Sequence, residues 1–168
     1  MAETPMFDRV ALLGGGLIGS SMAHAMRRGG LAGHIAGYSR SKESRATAEA
    51  IGFCDSIHDN PADAARDADL VVLCLPVGAF AETAEAIAPV LKRGAILTDV
   101  GSVKAAVVRD VGPHVPDGVH FIPGHPIAGT EQSGPSAGFP ELFDNRWCIV
   151  TPPPGVEQAA IDRLVAFW

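Results

Sequence analysis

Gly14-Gly15-Gly16-Leu17-Ile18-Gly19 matches G-x-G-x-x-G and stands between a short apolar stretch, residues 9–13, and a helical pattern over residues 17–28. Such a loop restricts the folds open to a chain when it joins a strand to a helix inside a βαβ unit. The first glycine, Gly14, allows a tight turn, and the second, Gly16, lets backbone come close to a ligand. The third, Gly19, lets helix and strand pack closely, while Leu17 and Ile18 open a helix whose free N–H groups face an anion. The expected ligand is the pyrophosphate of a dinucleotide.

The rest of the chain keeps the same rhythm. Strands are expected at residues 34–38, 53–57, 69–74, 95–98, 119–122 and 147–150. The segment 69–74 is the clearest, because an unbroken apolar run suits a parallel strand covered on both faces. Helices are expected at 41–51 with Ser41 as N-cap, from Asn60-Pro61, at 78–91 with Gly94 as a stop, and at 103–111. This alternation predicts an α/β fold: a doubly wound, mostly parallel, Rossmann-type sheet over residues 7–152. Residues 124–140 break the rhythm; rich in Gly and Pro and without a helical or strand period, they read as a functional loop. After Thr151-Pro152-Pro153-Pro154-Gly155 an amphipathic helix runs to Trp168 without a cap. Residues 155–168 are therefore expected to lead into a further domain.

Composition removes several classes of function. A net charge of −6 disfavours a nucleic-acid partner. The three cysteines have neither disulfide-framework nor metal-site spacing, so no metal and a reducing compartment are expected. No apolar run approaches the ~20 residues of a membrane span, and no signal-peptide pattern opens the chain. The expected protein has no membrane partner and is cytoplasmic.

Two further constellations carry chemistry. Ligands of an open parallel sheet lie beyond the carboxyl ends of its strands. At those ends stand Ser39-Arg40, Leu75-Pro76, Asp99-Val100-Gly101-Ser102-Val103-Lys104 and Gly124-His125-Pro126-Ile127-Ala128-Gly129-Thr130-Glu131. Ser39 occupies the place, roughly 20 residues past the loop, where NAD enzymes carry a carboxylate for the ribose hydroxyls. A hydroxyl followed by a guanidinium accommodates a 2′-phosphate instead, so NADP is favoured over NAD. His125 suits a proton acceptor for alcohol oxidation, with Ser102 orienting it or the reacting hydroxyl. Asp99 reads as a turn residue, Lys104 as surface, and His24, His34, His58, His114 and His120 as structural or solvated.

Together these three motifs, with Arg146-Trp147-Cys148-Ile149-Val150-Thr151-Pro152, resemble the prephenate/arogenate (cyclohexadienyl) dehydrogenase family of tyrosine biosynthesis. The resemblance runs from about residue 7 to the final residue. It implies an NAD(P)-dependent oxidative decarboxylation of prephenate or arogenate. His125 would take the proton of the ring C4 hydroxyl, Ser102 would bond that hydroxyl and help to place the nicotinamide, and Glu131, with Thr130 and Gly129, would border the substrate pocket. It also implies a helical second domain, absent from this chain, that forms a homodimer and holds the substrate carboxylates. This segment alone should then turn over little. Two other readings are open: a 3-hydroxyacid or imine reductase on the same scaffold, or a non-catalytic dinucleotide sensor. Neither accounts for His125 and Ser102 together with the whole run from Gly124 to Glu131.

Overall fold

The computed structural model describes residues 4–168. In chain order its elements are β1 (Phe7–Leu13), α1 (Leu17–Gly29), β2 (Ala32–Tyr38), α2 (Lys42–Ile51), β3 (Ser56–His58), α3 (Pro61–Ala65), β4 (Leu70–Leu73), α4 (Phe80–Ile87), β5 (Ile96–Asp99), α5 (Lys104–Val111), β6 (His120–Phe121), β7 (Gly124–Pro126), β8 (Cys148–Val150) and α6 (Gln158–Phe167). Strands β1 to β6 form one six-stranded sheet in the order β3-β2-β1-β4-β5-β6, and every pairing in it is parallel. This is the doubly wound order of dinucleotide-binding domains, with its switch point between β1 and β4.

Side-chain alternation along β1 splits the interior into two layers. Val10 and Leu12 point to one face, where Met22, Ala23 and Met26 of α1, Ala48 of α2 and Leu164 of α6 cover them. Ala11 and Leu13 point to the other, under Ala64 of α3, Phe80 and Ala84 of α4 and Val107 of α5. All four residues of β4 are inaccessible to solvent, the unbroken apolar run doing what a doubly covered strand requires.

The capping expectations hold: the Ser41 hydroxyl accepts from the Ser44 N–H at 3.2 Å, and Asn60 Oδ1 accepts from the Ala62 N–H at 2.9 Å. The helix expected over 78–91 is shorter. Its ends are 3-10 turns, Val77–Ala79 and Ala88–Val90, the second because Pro89 has no N–H to continue the α-helical ladder. Two expectations fail. Residues 124–140 are not wholly loop, since Gly124–Pro126 is a strand. The strand expected at 147–150 does not join the parallel sheet; as Cys148–Val150 it pairs antiparallel with β7 in a sheet of two. A three-residue Gly-His-Pro strand has no period of its own and exists only where a partner supplies the ladder. Helix α6 packs on the large sheet, with Phe167 edge-on to Phe7 at 5.8 Å between centroids, so the core continues past residue 152. No helix among the described residues is long and apolar enough to cross a membrane.

Two carboxylates tie strand ends together. Asp55 accepts from the Ile35 N–H at 2.7 Å and pairs with Arg27; Asp69 accepts from the Arg9 N–H at 2.9 Å and pairs with Lys92. Burial pushes both carboxyls up, but the N–H and cationic partners outweigh it and hold both below the ordinary 3.8. A carboxyl depressed in the folded state stabilises the fold above its unfolded pKa and stops doing so as pH falls through the folded value. The stability these two carboxylates contribute should therefore be lost as pH falls below the ordinary 3.8, so that in acid unfolding followed by circular dichroism Asp69→Asn is less stable at neutral pH and less sensitive to acid. Superimposable acid profiles for the two proteins would refute the assignment.

Candidate active site

The carboxyl ends of β1, β2, β4 and β5, with β7, enclose a cleft of about 680 Å³ at the switch point. Its floor is the glycine loop. Gly14 adopts φ +125°, and its N–H donates to the Tyr38 carbonyl at 3.0 Å. A Cβ on Gly14 would stand 2.6 Å from the Cys74 carbonyl, and one on Gly19 would stand 2.1 Å from the Gly14 carbonyl oxygen. These two positions are closed to any side chain. Gly15 and Gly16 behave in the opposite way: a Cβ on either would meet nothing within 4 Å, because both face the open cleft. The α1 N-terminus begins at Gly16 with no capping side chain and no acidic residue in its first turn. The cradle therefore combines free N–H groups, a positive helix end and room for backbone approach, which fits a pyrophosphate. Ile18 also lines the cleft, whereas Leu17 and Gly19 do not.

At the β2 end, Ser39, Arg40, Ser41 and Ser44 form the far wall. Arg45 shapes this turn by donating to the Ser39 and Arg40 carbonyls at 2.8 and 2.9 Å. Among the described residues no carboxylate faces the cleft here. Arg40 is exposed, and Glu82 of α4 lies 3.4 Å from its guanidinium. Ser41 and Ser44 were not anticipated as lining residues; both occupy the first turn after a strand at the switch point, which is the signal that would have found them.

The opposite wall carries Leu75, Pro76, Val77, Val100, Gly101, Ser102, His125, Pro126 and Ala128. Ser102 comes from the β5–α5 turn and His125 from β7, so two separate segments bring them to one cleft. Behind them Asp99 is fully buried, accepting from the Gly101 N–H at 2.8 Å and the Gly124 N–H at 3.1 Å. Lys104 donates to Asp99 and to the Gly124 carbonyl. The surface expectation for Lys104 is thus overturned, because a buried carboxylate needs a counter-charge. Burial lowers the Lys104 ammonium's pKa, and Asp99 opposes that shift. Gly129, Thr130 and Glu131 are exposed and not part of the wall; they sit between Ala128 and Gly134, both of which are. Gly134 and Pro135 lie in the loop singled out by its Gly and Pro content, but nothing in the sequence distinguished them within it.

The remaining polar candidates lie elsewhere. His34 and His58 share the Ser56 hydroxyl at 2.9 and 3.1 Å, and His24 packs edge-on to Phe53. Burial pushes the Cys54 thiol up to about 12 and the Cys148 thiol up to about 11, the latter against the pull of the His125 N–H and Lys104. Neither is a thiolate nucleophile near neutral pH.

The family model for prephenate dehydrogenase, nucleotide-binding domain, matches residues 22–168. A cyclohexadienyl dehydrogenase of Zymomonas mobilis is 40% identical over 163 residues, 97% of this chain and 55% of the relative. A prephenate dehydrogenase of Bacillus subtilis is 32% identical over 95% of this chain and 43% of the relative. Among solved structures, the prephenate dehydrogenase from A. aeolicus in complex with hydroxyphenyl propionate and NAD+ superposes with a TM-score of 0.87 at 32% identity, covering 96% of this chain and 56% of that one. The arogenate dehydrogenase of Synechocystis gives 0.85 at 30%, covering 95% and 55%. The chain spans about half the length of the curated relatives it matches.

Proposed function

The chain belongs to the prephenate dehydrogenase family, as its nucleotide-binding domain, and from that premise we propose that the full-length protein is an NAD(P)-dependent cyclohexadienyl dehydrogenase. Its substrate is prephenate or arogenate, oxidised at the ring C4 alcohol with loss of the ring carboxylate as CO₂. The observation that carries this reading is that His125 and Ser102 share one cleft with the open face of Gly15 and Gly16.

Gly15, Gly16 and the α1 N-terminus would hold the pyrophosphate; Ser39 and Arg40 would hold the adenosine ribose, and Pro76 and Val77 would wall the nicotinamide side. When bound, the nicotinamide supplies the two-electron acceptor for the hydrogen leaving C4. A ring nitrogen of His125 accepts the C4 hydroxyl proton, imidazole being the side chain most often used as a positioned general base. Ser102 donates to or accepts from the same hydroxyl and so fixes its direction towards His125. Val77, Val100 and Pro126 restrict water beside the reacting carbon. Once C4 is a carbonyl, expulsion of CO₂ makes the ring aromatic, so no acid from the protein is required to drive that step. Gly129, Thr130 and Glu131, flanked by two residues of the wall, border the substrate side.

NADP is the favoured cofactor in this reading. Ser39 offers a hydroxyl where a carboxylate would repel a 2′-phosphate, and the Arg40 guanidinium is exposed, its contact with Glu82 screened by solvent. Ser39→Asp is expected to shift the NADP-to-NAD ratio of kcat/KM towards NAD by about tenfold or more, the loss of one charge-assisted hydrogen bond and the gain of a repulsion. An unchanged ratio would remove the argument for NADP. The reaction itself is tested by reduced-cofactor absorbance, with prephenate and arogenate offered separately to the full-length protein.

A further inference from the structure

Asp99 and Lys104 do not line the cleft, yet apart from the ion pair between them their side-chain hydrogen bonds reach the backbone of the two segments that do. Asp99 Oδ2 accepts from the Gly101 N–H, one residue before Ser102, and also from the Lys104 ammonium. Asp99 Oδ1 accepts from the Gly124 N–H, one residue before His125, and Lys104 donates to the Gly124 carbonyl. Gly124 is thus gripped at both of its backbone polar groups by one ion pair, a fully buried carboxylate with a half-buried ammonium. It is also seated closely: a Cβ there would lie 3.1 Å from the Asp99 carbonyl and 3.3 Å from Thr98 Oγ1. This matters because β7 is hydrogen-bonded as a strand only to β8, and a lone two-stranded sheet is a weak scaffold.

We infer that Asp99 and Lys104 are positioning residues for the oxidation, a charged strut that sets the β5–α5 turn against β7 and thereby fixes Ser102 relative to His125. The inference rests on the roles given to Ser102 and His125 above. Neither strut residue touches substrate or cofactor. Their effect is to hold two backbones in a register that a reacting hydroxyl between Ser102 and His125 needs, and misplacement by about 1 Å costs such geometry on the order of 100-fold in rate. The pair acts as a unit: without Lys104 the fully buried Asp99 is left as an uncompensated charge.

The test uses the full-length protein and begins with wild type and His125→Asn on both ring substrates. No turnover by wild type, or full turnover by His125→Asn, overturns the functional reading itself, and the strut with it. Given that reading, Lys104→Met is expected to lower kcat about 100-fold while the dinucleotide Kd, from fluorescence titration, stays within about twofold of wild type. A merely structural role is separated by a cycle with Ser102→Ala. If Lys104 acts through the placement of Ser102, the double variant is within about threefold of the weaker single variant rather than showing the product of both losses. Multiplied losses, a kcat within about threefold of wild type, or a fall in dinucleotide affinity as large as the fall in kcat would each overturn the proposal. Should Lys104→Met fail to fold, Asp99→Asn is read in the same cycle by the same outcomes.

Discussion

His125→Asn is expected to lower kcat of the full-length protein by about 10²–10⁴-fold, the usual contribution of a positioned general base. Asparagine keeps a polar planar group of similar reach but cannot accept a proton near neutral pH. The histidine stands on β7, whose backbone is held by Asp99, Lys104 and the pairing with β8. Its side chain is half-buried in the cleft wall, so the substitution leaves the fold intact and the dinucleotide Kd within about twofold, since uniform binding is untouched. Rates measured in single turnover, with Kd titrated in parallel, separate the two quantities. Equal loss of both would mean that His125 supports the cleft instead of the chemistry.

Gly14→Ala is expected to destabilise the fold strongly. It combines backbone strain of about 1–3 kcal/mol at a left-handed φ with overpacking of about 1–3 kcal/mol against a carbonyl that cannot move. The strain arises from φ +125° and the overpacking from a Cβ 2.6 Å from the Cys74 carbonyl carbon and oxygen, on the adjacent end of β4. A loss of about 3 kcal/mol or more lowers Tm of a domain this size by roughly 6–12 °C. Gly16→Ala is the informative control. Its Cβ meets nothing, so Tm should hardly change, while the methyl intrudes on the cradle and weakens dinucleotide binding at least about tenfold. If the two variants melted alike, the division of labour between the glycines would be wrong.

Local signals proved sufficient wherever a residue acts within its own element. Ser41 caps α2 and Asn60 with Pro61 starts α3 because the side chain and the N–H groups it serves lie within three positions of each other. Likewise, the run Leu70–Leu73 specifies a doubly covered strand by hydrophobicity alone. Local signals failed where the partner is distant. Nothing near Lys104 distinguishes it from a solvated lysine in a first helical turn; its partners are the end of β5 and a glycine on β7. The wall residues Gly134 and Pro135 belong to a segment that reaches the cleft only because it is pinned to α1, where the Phe139 N–H donates to Ser21 Oγ at 3.1 Å.

The sequence by itself determined the α/β class with a mostly parallel sheet, the glycine cradle with the roles of Gly14, Gly16 and Gly19, the absence of a carboxylate at Ser39, and the pair Ser102 and His125 as candidates for oxidising a hydroxyl. These follow from steric rules and hydrophobic periods acting over a few residues. Only the tertiary structure decided that His125 stands on a strand, and that this strand pairs with β8 outside the main sheet. It also decided that Asp99 and Lys104 join the two halves of the site from behind. The physical reason is that a buried charge and a short strand both take their energy from partners far along the chain, and such partners become neighbours only after the sheet has formed.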